Sequence, residues 1–398
     1  MTVLDPPPGV ATGTARPDMA NGLDEVLSVT ARHAAATDEA AAFPVDALDA
    51  MRASGLLGLL VPERYGGRGG DYADLVDITV QLSRTDMAVG LIFAMHCQQV
   101  ATLASYAGEH LRDSLLPAIA RGEIYIASVT TEAGKGGHLF SAGTRATDVD
   151  GLLHLDRHAP IVTGGAYADG FLVTMLADGA TSPNQVSLVY AGRDQLDIQV
   201  LGDWQPLGMR ATHSVPMRLV GSVPRDQTVG EPGGFRRMAA TVFAPTAHLG
   251  WSAAWLGTAA GALSRVLGHL RSAEGRARYD LSSPLLLTRL ARIRSRLDLV
   301  NATLRHTLDV LATASDVTRP TVQLLLNTLK VSAAEQCFEA VNETVELVGM
   351  RHGYLRDSPL FIERALRDLR SATLNYSNDR LYLVNGALAL MDPEVRCA

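Results

Sequence analysis

Leu286, Leu290, Ile293, Leu297, Val300, Leu304 and Leu308 recur at three- and four-residue intervals, the spacing that lines one face of a single long helix. So long an apolar stripe needs a partner helix. Ala334, Cys337, Val341, Val345 and Val348 form a second stripe, and the pair predicts antiparallel helices in a bundle.

Upstream the texture changes twice. Residues 1–21 hold a Pro triplet without apolar periodicity and read as a flexible tail. From Gly22 to Gly122 the pattern is helical, with Asp71 at an N-cap position before Leu75, Ile78 and Leu82, and Gly55 at a C-cap. Between 123 and 234 it turns to short β-leaning runs (Ile161–Thr163, Phe171–Met175, Val186–Tyr190, Pro216–Val220) separated by Gly, Asp, Asn and Pro. That predicts a compact antiparallel sheet or barrel. Residues 235–398 return to long helices. The expected class is therefore α+β with three parts: an N-terminal all-α domain, a central antiparallel β-barrel and a C-terminal four-helix bundle.

Composition excludes several roles. Apolar residues make up 47% of the 398 and charged residues 19%, enough hydrophobic surface to support packed cores. The net charge of −7 is spread without a basic tract, which speaks against nucleic acid. Cys97, Cys337 and Cys397 are scattered without CxxC or Cys/His ligand spacing, which speaks against both a disulfide framework and a zinc site; the histidines form no metal constellation in the sequence, so no metal is expected, and a reducing cytoplasm is. No export signal or membrane span is expected from the apolar runs. Of 35 basic residues only Lys135 and Lys330 are lysines.

Four segments say more than the pattern does. They are Gly55–Gly70 (GLLGLLVPERYGGRGG), Thr131–His138 (TEAGKGGH), Pro160–Asp169 (PIVTGGAYAD) and Leu207–Ser214 (LGMRATHS), the last followed by Val223-Pro224 and Gly233-Gly234-Phe235. In this order they resemble the acyl-CoA dehydrogenase family, and Gly353–Arg370 (GYLRDSPLFIERALRDLR) adds a fifth match. The resemblance implies the three-part fold just described, a homodimer or homotetramer, and bound FAD, with FMN or an exchanging reduced flavin as alternatives. It places Thr131, Gly134, Gly136, Gly137, Ile161, Thr163, Gly349 and Asn378 at the cofactor. Glycines in the loop let backbone N–H groups approach a ring edge, and the two threonines can donate hydroxyl hydrogen bonds. Arg210 has a structural reading beside a functional one.

The family's catalytic glutamate is missing. Counting from Arg367-Asp368 through Arg370 lands on Tyr376, and the family's second placement of this base falls near Ala247, beside His248. A phenol with a pKa near 10 is a poor base at neutrality. Other departures are Ile161 for an aromatic residue, Gly137 for a serine and Glu346 for a glutamine facing the diphosphate. The run Gly349–Gly353 is also one residue longer than the family's turn. Three residues are candidates for proton chemistry: Tyr376, Asp379 and His96. Each also has a structural reading, Asp379 as an acid at a helix start, His96 as a buried core histidine and Tyr376 as a pocket hydrogen-bond donor. Tyr376, His138 and His96 are candidates for substrate contact.

The resemblance implies α,β-dehydrogenation of an acyl thioester on CoA or a carrier protein, with an atypical base and a separate electron acceptor. The missing glutamate keeps a second expectation open, a monooxygenase of the same fold. Such an enzyme takes reduced flavin from a reductase, forms a C4a-peroxide and oxygenates a nitrogen, sulfur or aromatic substrate. A third expectation is a non-catalytic flavin-binding homologue.

Overall fold

The fold was obtained as a computed structural model and is described for residues 17–134, 138–392 and 394–398. Most of the expected N-terminal tail, together with Gly136 and Gly137, lies outside the described residues. Two compact units divide the chain. One comprises Met1–Leu75, Ile92–Gln205 and Arg210–Ala247, and the other Val76–Leu91, Pro206–Met209 and His248–Ala398.

The first unit begins with α1 (Leu23–Ala40) and α2 (Val45–Ser54), followed by the start of α3 (Tyr72–Thr85), most of α4 (Met87–Tyr106), and α5 (Glu109–Ala120). Local chemistry sets these boundaries. Gly55 ends α2 at φ 73°, a left-handed conformation that glycine adopts without a Cβ penalty. Asp71 starts α3: its Oδ1 accepts from Ala73 N (2.8 Å) and Asp74 N (3.0 Å), while Asp74 Oδ2 accepts from Asp71 N (3.0 Å). This reciprocal box satisfies donors that every helix start leaves free. One expectation needs correction. α4 is long and apolar enough to cross a membrane, yet 89% of its apolar stretch is buried in the protein. Its apolar residues face protein on all sides, as in a core helix.

The β-domain of this unit contains β1 (Ile126–Val129), β2 (Thr147–Val149), β3 (Leu152–Val162), β4 (Gly170–Leu176), β5 (Val186–Gly192), β6 (Leu196–Val200), β7 (Val215–Pro224) and β8 (Thr228–Val229). They form two four-stranded sheets, ordered β1-β4-β5-β8 and β2-β3-β7-β6. Against the all-antiparallel expectation, β1 pairs β4 in parallel, from Ile126 opposite Gly170 to Val129 opposite Val173. The excursion through β2 and β3 gives the chain the long connection that parallel pairing requires. Buried and exposed residues alternate along most of β3, as expected of a strand with one face in the core. After β8 the unit closes with α6 (Phe235–Met238) and the first turn of α7 (Ala244–Arg271).

The second unit holds the rest of α7 with α8 (Ala273–Arg278), α9 (Pro284–Thr313), α10 (Pro320–Gly349), α11 (Ile362–Leu369) and α12 (Asn378–Ala389). The two sequence stripes meet here. Arg289 reaches the carbonyl of Glu346, and Arg296 pairs with Glu343 at 2.9 Å, so α9 and α10 run in opposite senses. Ile293, Leu297, Val300, Leu304 and Leu308 are buried on α9, as are Ala334, Cys337, Val341 and Val348 on α10.

Candidate functional site

In the first unit the chemistry gathers at the end of β3. Pairing with β7 is regular until Ala159 opposite Met217 and resumes at Val162 opposite Val215. The bulge between them contains Pro160, which has no N–H to give a ladder. Ile161 is turned outward, 46% exposed, and its backbone finds a different partner. The Thr131 hydroxyl donates to Ile161 O (2.8 Å) and accepts from Ile161 N (3.3 Å), replacing ladder bonds that the bulge removes. Next to the bulge the Thr163 hydroxyl lies 3.0 Å from Ser214 Oγ, which lies 2.8 Å from Thr212 Oγ1. Three hydroxyls thus share a buried hydrogen-bond chain, of which the resemblance placed only the first at the cofactor, although the other two lie in the LGMRATHS segment.

The loop beginning at Thr131 is anchored by Glu132. Its carboxylate accepts from Gly143 N (3.0 Å) and Thr144 N (2.7 Å) and lies 2.9 Å from Nη1 of Arg157, a side chain with 0% exposure. Burial pushes this carboxyl up, but the Thr144 hydroxyl, the Gly143 N–H and Arg157 outweigh it and hold it at about 2. Gly134 has φ 76° with open space where a Cβ would stand, and His138 is exposed. His96 is buried in the same unit: Nδ1 accepts from Ile126 N (3.1 Å), so Nε2–H donates to Leu57 O (3.0 Å). Burial pulls its pKa to about 4, and both ring nitrogens are occupied by backbone. Arg210 donates to Asp38 O (2.7 Å) and Glu39 O (3.0 Å), the carbonyls ending α1, which accounts for it structurally.

A second cluster lies in the second unit, around Tyr376. This residue has φ 50°, a costly conformation for a non-glycine residue. Lys330, fully buried on α10, holds the segment: Nζ donates to Asn378 Oδ1 (2.7 Å), Tyr376 O (3.1 Å) and Ala372 O (3.3 Å). Its ammonium also stands 5.4 Å from the centre of the Trp255 ring. Asn378 uses its other side-chain group to donate to Glu335 (3.1 Å). The His248 ring is 6.2 Å from those of Tyr376 and Trp251. Tyr376, at one position where the resemblance places a base, therefore neighbours the imidazole of His248, which stands beside Ala247 at the other. Burial raises the Tyr376 phenol, and burial followed by the nearby Lys330 charge lowers His248 to about 3. Burial also lowers Lys330 to about 7, against the pull of Glu335. Asp379 is exposed in the first turn of α12, where an acid favours the helix dipole.

Sequence reasoning missed Lys330 and the contact between His248 and Tyr376. The available signal was a lone lysine in an apolar helical run, in a chain with only one other. Gly349 has φ 68°, and Met350–Tyr354 after it form a π-helical turn. Glu346 is exposed.

Comparison with known proteins agrees with this architecture. The profile of the acyl-CoA dehydrogenase N-terminal domain matches residues 24–123, and that of the acyl-CoA dehydrogenase C-terminal domain matches residues 234–375. A probable acyl-CoA dehydrogenase of Mycobacterium tuberculosis is 26% identical over 369 residues, covering 91% of each chain. Among solved structures, FMN-bound TdsC from Paenibacillus sp. A11-2, a dibenzothiophene monooxygenase, aligns with a TM-score of 0.83 at 22% identity over 94% of this chain and 98% of that one. Butyryl-CoA dehydrogenase from Megasphaera elsdenii aligns with a TM-score of 0.81 at 19% identity over 96% and 100%.

Proposed function

We take as premise that this chain belongs to the acyl-CoA dehydrogenase superfamily, as a distant member, and propose that it is a flavin-dependent oxidoreductase that oxygenates its substrate. One observation carries the choice of chemistry. Of the two placements of an α-proton base, one falls on Tyr376, raised by burial, and the other near Ala247, whose neighbour His248 is held at about 3; both groups are poor bases at neutral pH. Lys330 offers no substitute, because its Nζ already donates to three acceptors.

The residues of the β3 bulge fit a flavin ring. Ile161 is an outward aliphatic side chain whose backbone the Thr131 hydroxyl holds, Thr163 follows two residues on, and Gly134 leaves a Cβ-sized opening in the adjoining loop. Thr131, Gly134, Ile161 and Thr163 would hold the ring, with Ser214 and Thr212 orienting the Thr163 hydroxyl. When bound, a flavin supplies two-electron chemistry, taking hydride from carbon or, once reduced, activating dioxygen. The exposed Glu346 carboxylate disfavours a diphosphate beside it, which suits FMN, or a flavin that exchanges with a reductase, better than tightly held FAD. Tyr376 stays protonated at neutral pH and donates a hydrogen bond to substrate. Lys330 fixes its backbone.

A second reading is α,β-dehydrogenation of an acyl thioester, favoured by the full-length likeness to a probable acyl-CoA dehydrogenase. Anaerobic incubation of the flavin-loaded chain with an acyl-CoA panel separates the two. Oxygenation predicts that the flavin stays oxidised, and that reduced flavin plus ¹⁸O₂ labels an aromatic probe such as indole or dibenzothiophene. Rapid bleaching by a thioester overturns oxygenation in favour of dehydrogenation. Homo-oligomerisation is part of the proposal, since α12 exposes Leu383 (76%) and Leu390, just beyond it, is 87% exposed. Sizing should give a dimer or tetramer.

A further inference from the structure

The end of α7, the start of α8 and the π-helical turn after α10 bring His269, Glu274 and His352 together. One ligand atom from each lies within 4.8 Å of the other two. The imidazole centres are 4.5 Å apart. Nε2 of His269 and Nε2 of His352 are both buried and, among the described residues, without a hydrogen-bond partner. His352 is only 4% exposed. Two orphaned imidazole nitrogens facing a carboxylate are costly as they stand and become favourable when a cation takes their lone pairs.

The surrounding structure holds them in place. His352 Nδ1 lies 3.2 Å from Ser358 Oγ. When Nδ1–H donates to that hydroxyl, Nε2 keeps its lone pair, the usual outer-shell arrangement of a metal-binding histidine. Glu274 is positioned by the turn before it: Ser272 Oγ accepts from Gly275 N (3.1 Å) and donates to His269 O (2.6 Å). A Cβ on Gly275 would fall 2.0 Å from His269 O, so only glycine allows α8 to fold back this closely. The opposing charge of Arg351 is paired with Asp357 at 2.6 Å, and Arg278 is exposed.

We propose that His269, Glu274 and His352 form a binding site for a divalent cation of the zinc class. Two imidazoles and one carboxylate suit zinc, with a fourth position left to water. Tetrahedral ligands around zinc stand about 3.4 Å apart, so three ligand atoms within 4.8 Å of one another need draw in only slightly to close on the ion. The ion would clip the α7–α8 turn to the π-helical turn that follows Gly349.

The test uses the full-length chain stripped by a chelator and then dialysed. Titration with Zn²⁺ against a chromophoric chelator should show one tight site per chain and a raised Tm, and Co²⁺ should give the visible d–d absorption of a tetrahedral site. Glu274→Gln, at an exposed position, and His269→Gln should each weaken binding at least about tenfold. His352→Gln should do the same if it folds, and the other two variants decide the matter if it does not. No stoichiometric binding by the wild-type chain overturns the site. So does binding that Glu274→Gln and His269→Gln leave unchanged, or an intense thiolate-to-cobalt band that points to a cysteine.

Discussion

Glu132→Gln tests how the Thr131 loop is held. The glutamate accepts two backbone N–H groups and lies 2.9 Å from Arg157, whose side chain is fully buried. A carboxyl moved from 4.5 to about 2 contributes at most about 3 kcal/mol. Water at its 11% exposed edge screens part of this, leaving about 2 kcal/mol. The glutamine variant also leaves Arg157 buried without its counter-charge, which brings the expected loss to about 3 kcal/mol. The pH dependence has a definite sign. Because the folded-state pKa is depressed, this stability is complete above about pH 5 and is lost as pH falls toward 2. Urea unfolding of both proteins from pH 7 to pH 3 should therefore show a gap of about 3 kcal/mol at pH 7 that narrows with acidity. Flavin affinity, read by fluorescence quenching, should fall with the loop. A variant within about 0.5 kcal/mol of wild type at pH 7, or a gap of constant size, would refute the reasoning.

Three further outcomes are expected. Thr163→Val removes one hydroxyl from the Thr163–Ser214–Thr212 chain and should weaken flavin binding severalfold, about 1 kcal/mol; an unchanged affinity and flavin spectrum would show that this hydroxyl does not face the ring. His96 has a folded-state pKa depressed to about 4, so its neutral form supports folding above about pH 6.5 and this support is lost as pH falls toward 4. His96→Gln should flatten Tm against pH in that window and leave turnover intact, whereas a large loss of turnover with unchanged stability would restore a catalytic role. If oxygenation holds, acyl thioesters leave the flavin oxidised anaerobically in wild type, Tyr376→Phe and Asp379→Asn alike; should wild type be bleached, a drop of about 10²–10⁴ in the rate of either variant would identify a base.

Much of the architecture was legible in the residues, because the signals involved are local. The Asp71 box and the Gly55 cap each lie within four residues of chain, the α9 and α10 stripes repeat every three or four, and Pro160 marks a break in a strand ladder by lacking an N–H. The expected helical, β and helical order follows from such patterns. α4 shows their limit: its apolar run was not expected to be long enough for a membrane span, and only burial identifies it as a core helix.

The candidate site was only half legible. Thr131 and Thr163 stood in motifs, but nothing in sequence spacing joins Thr163 to Ser214, His248 to Tyr376, or Lys330 to Asn378. The parallel pairing of β1 with β4 and the approach of His269 to His352 were equally hidden. Periodicity reports which face of an element is apolar, and propensity reports which element forms. Neither records which distant side chains share a buried volume, because that depends on how long connections return and how elements pack. The sequence alone thus determined the elements and their caps. Tertiary structure decided which polar atoms find partners, and hence that a phenol, a weakly basic imidazole and a tethered lysine come together around Tyr376.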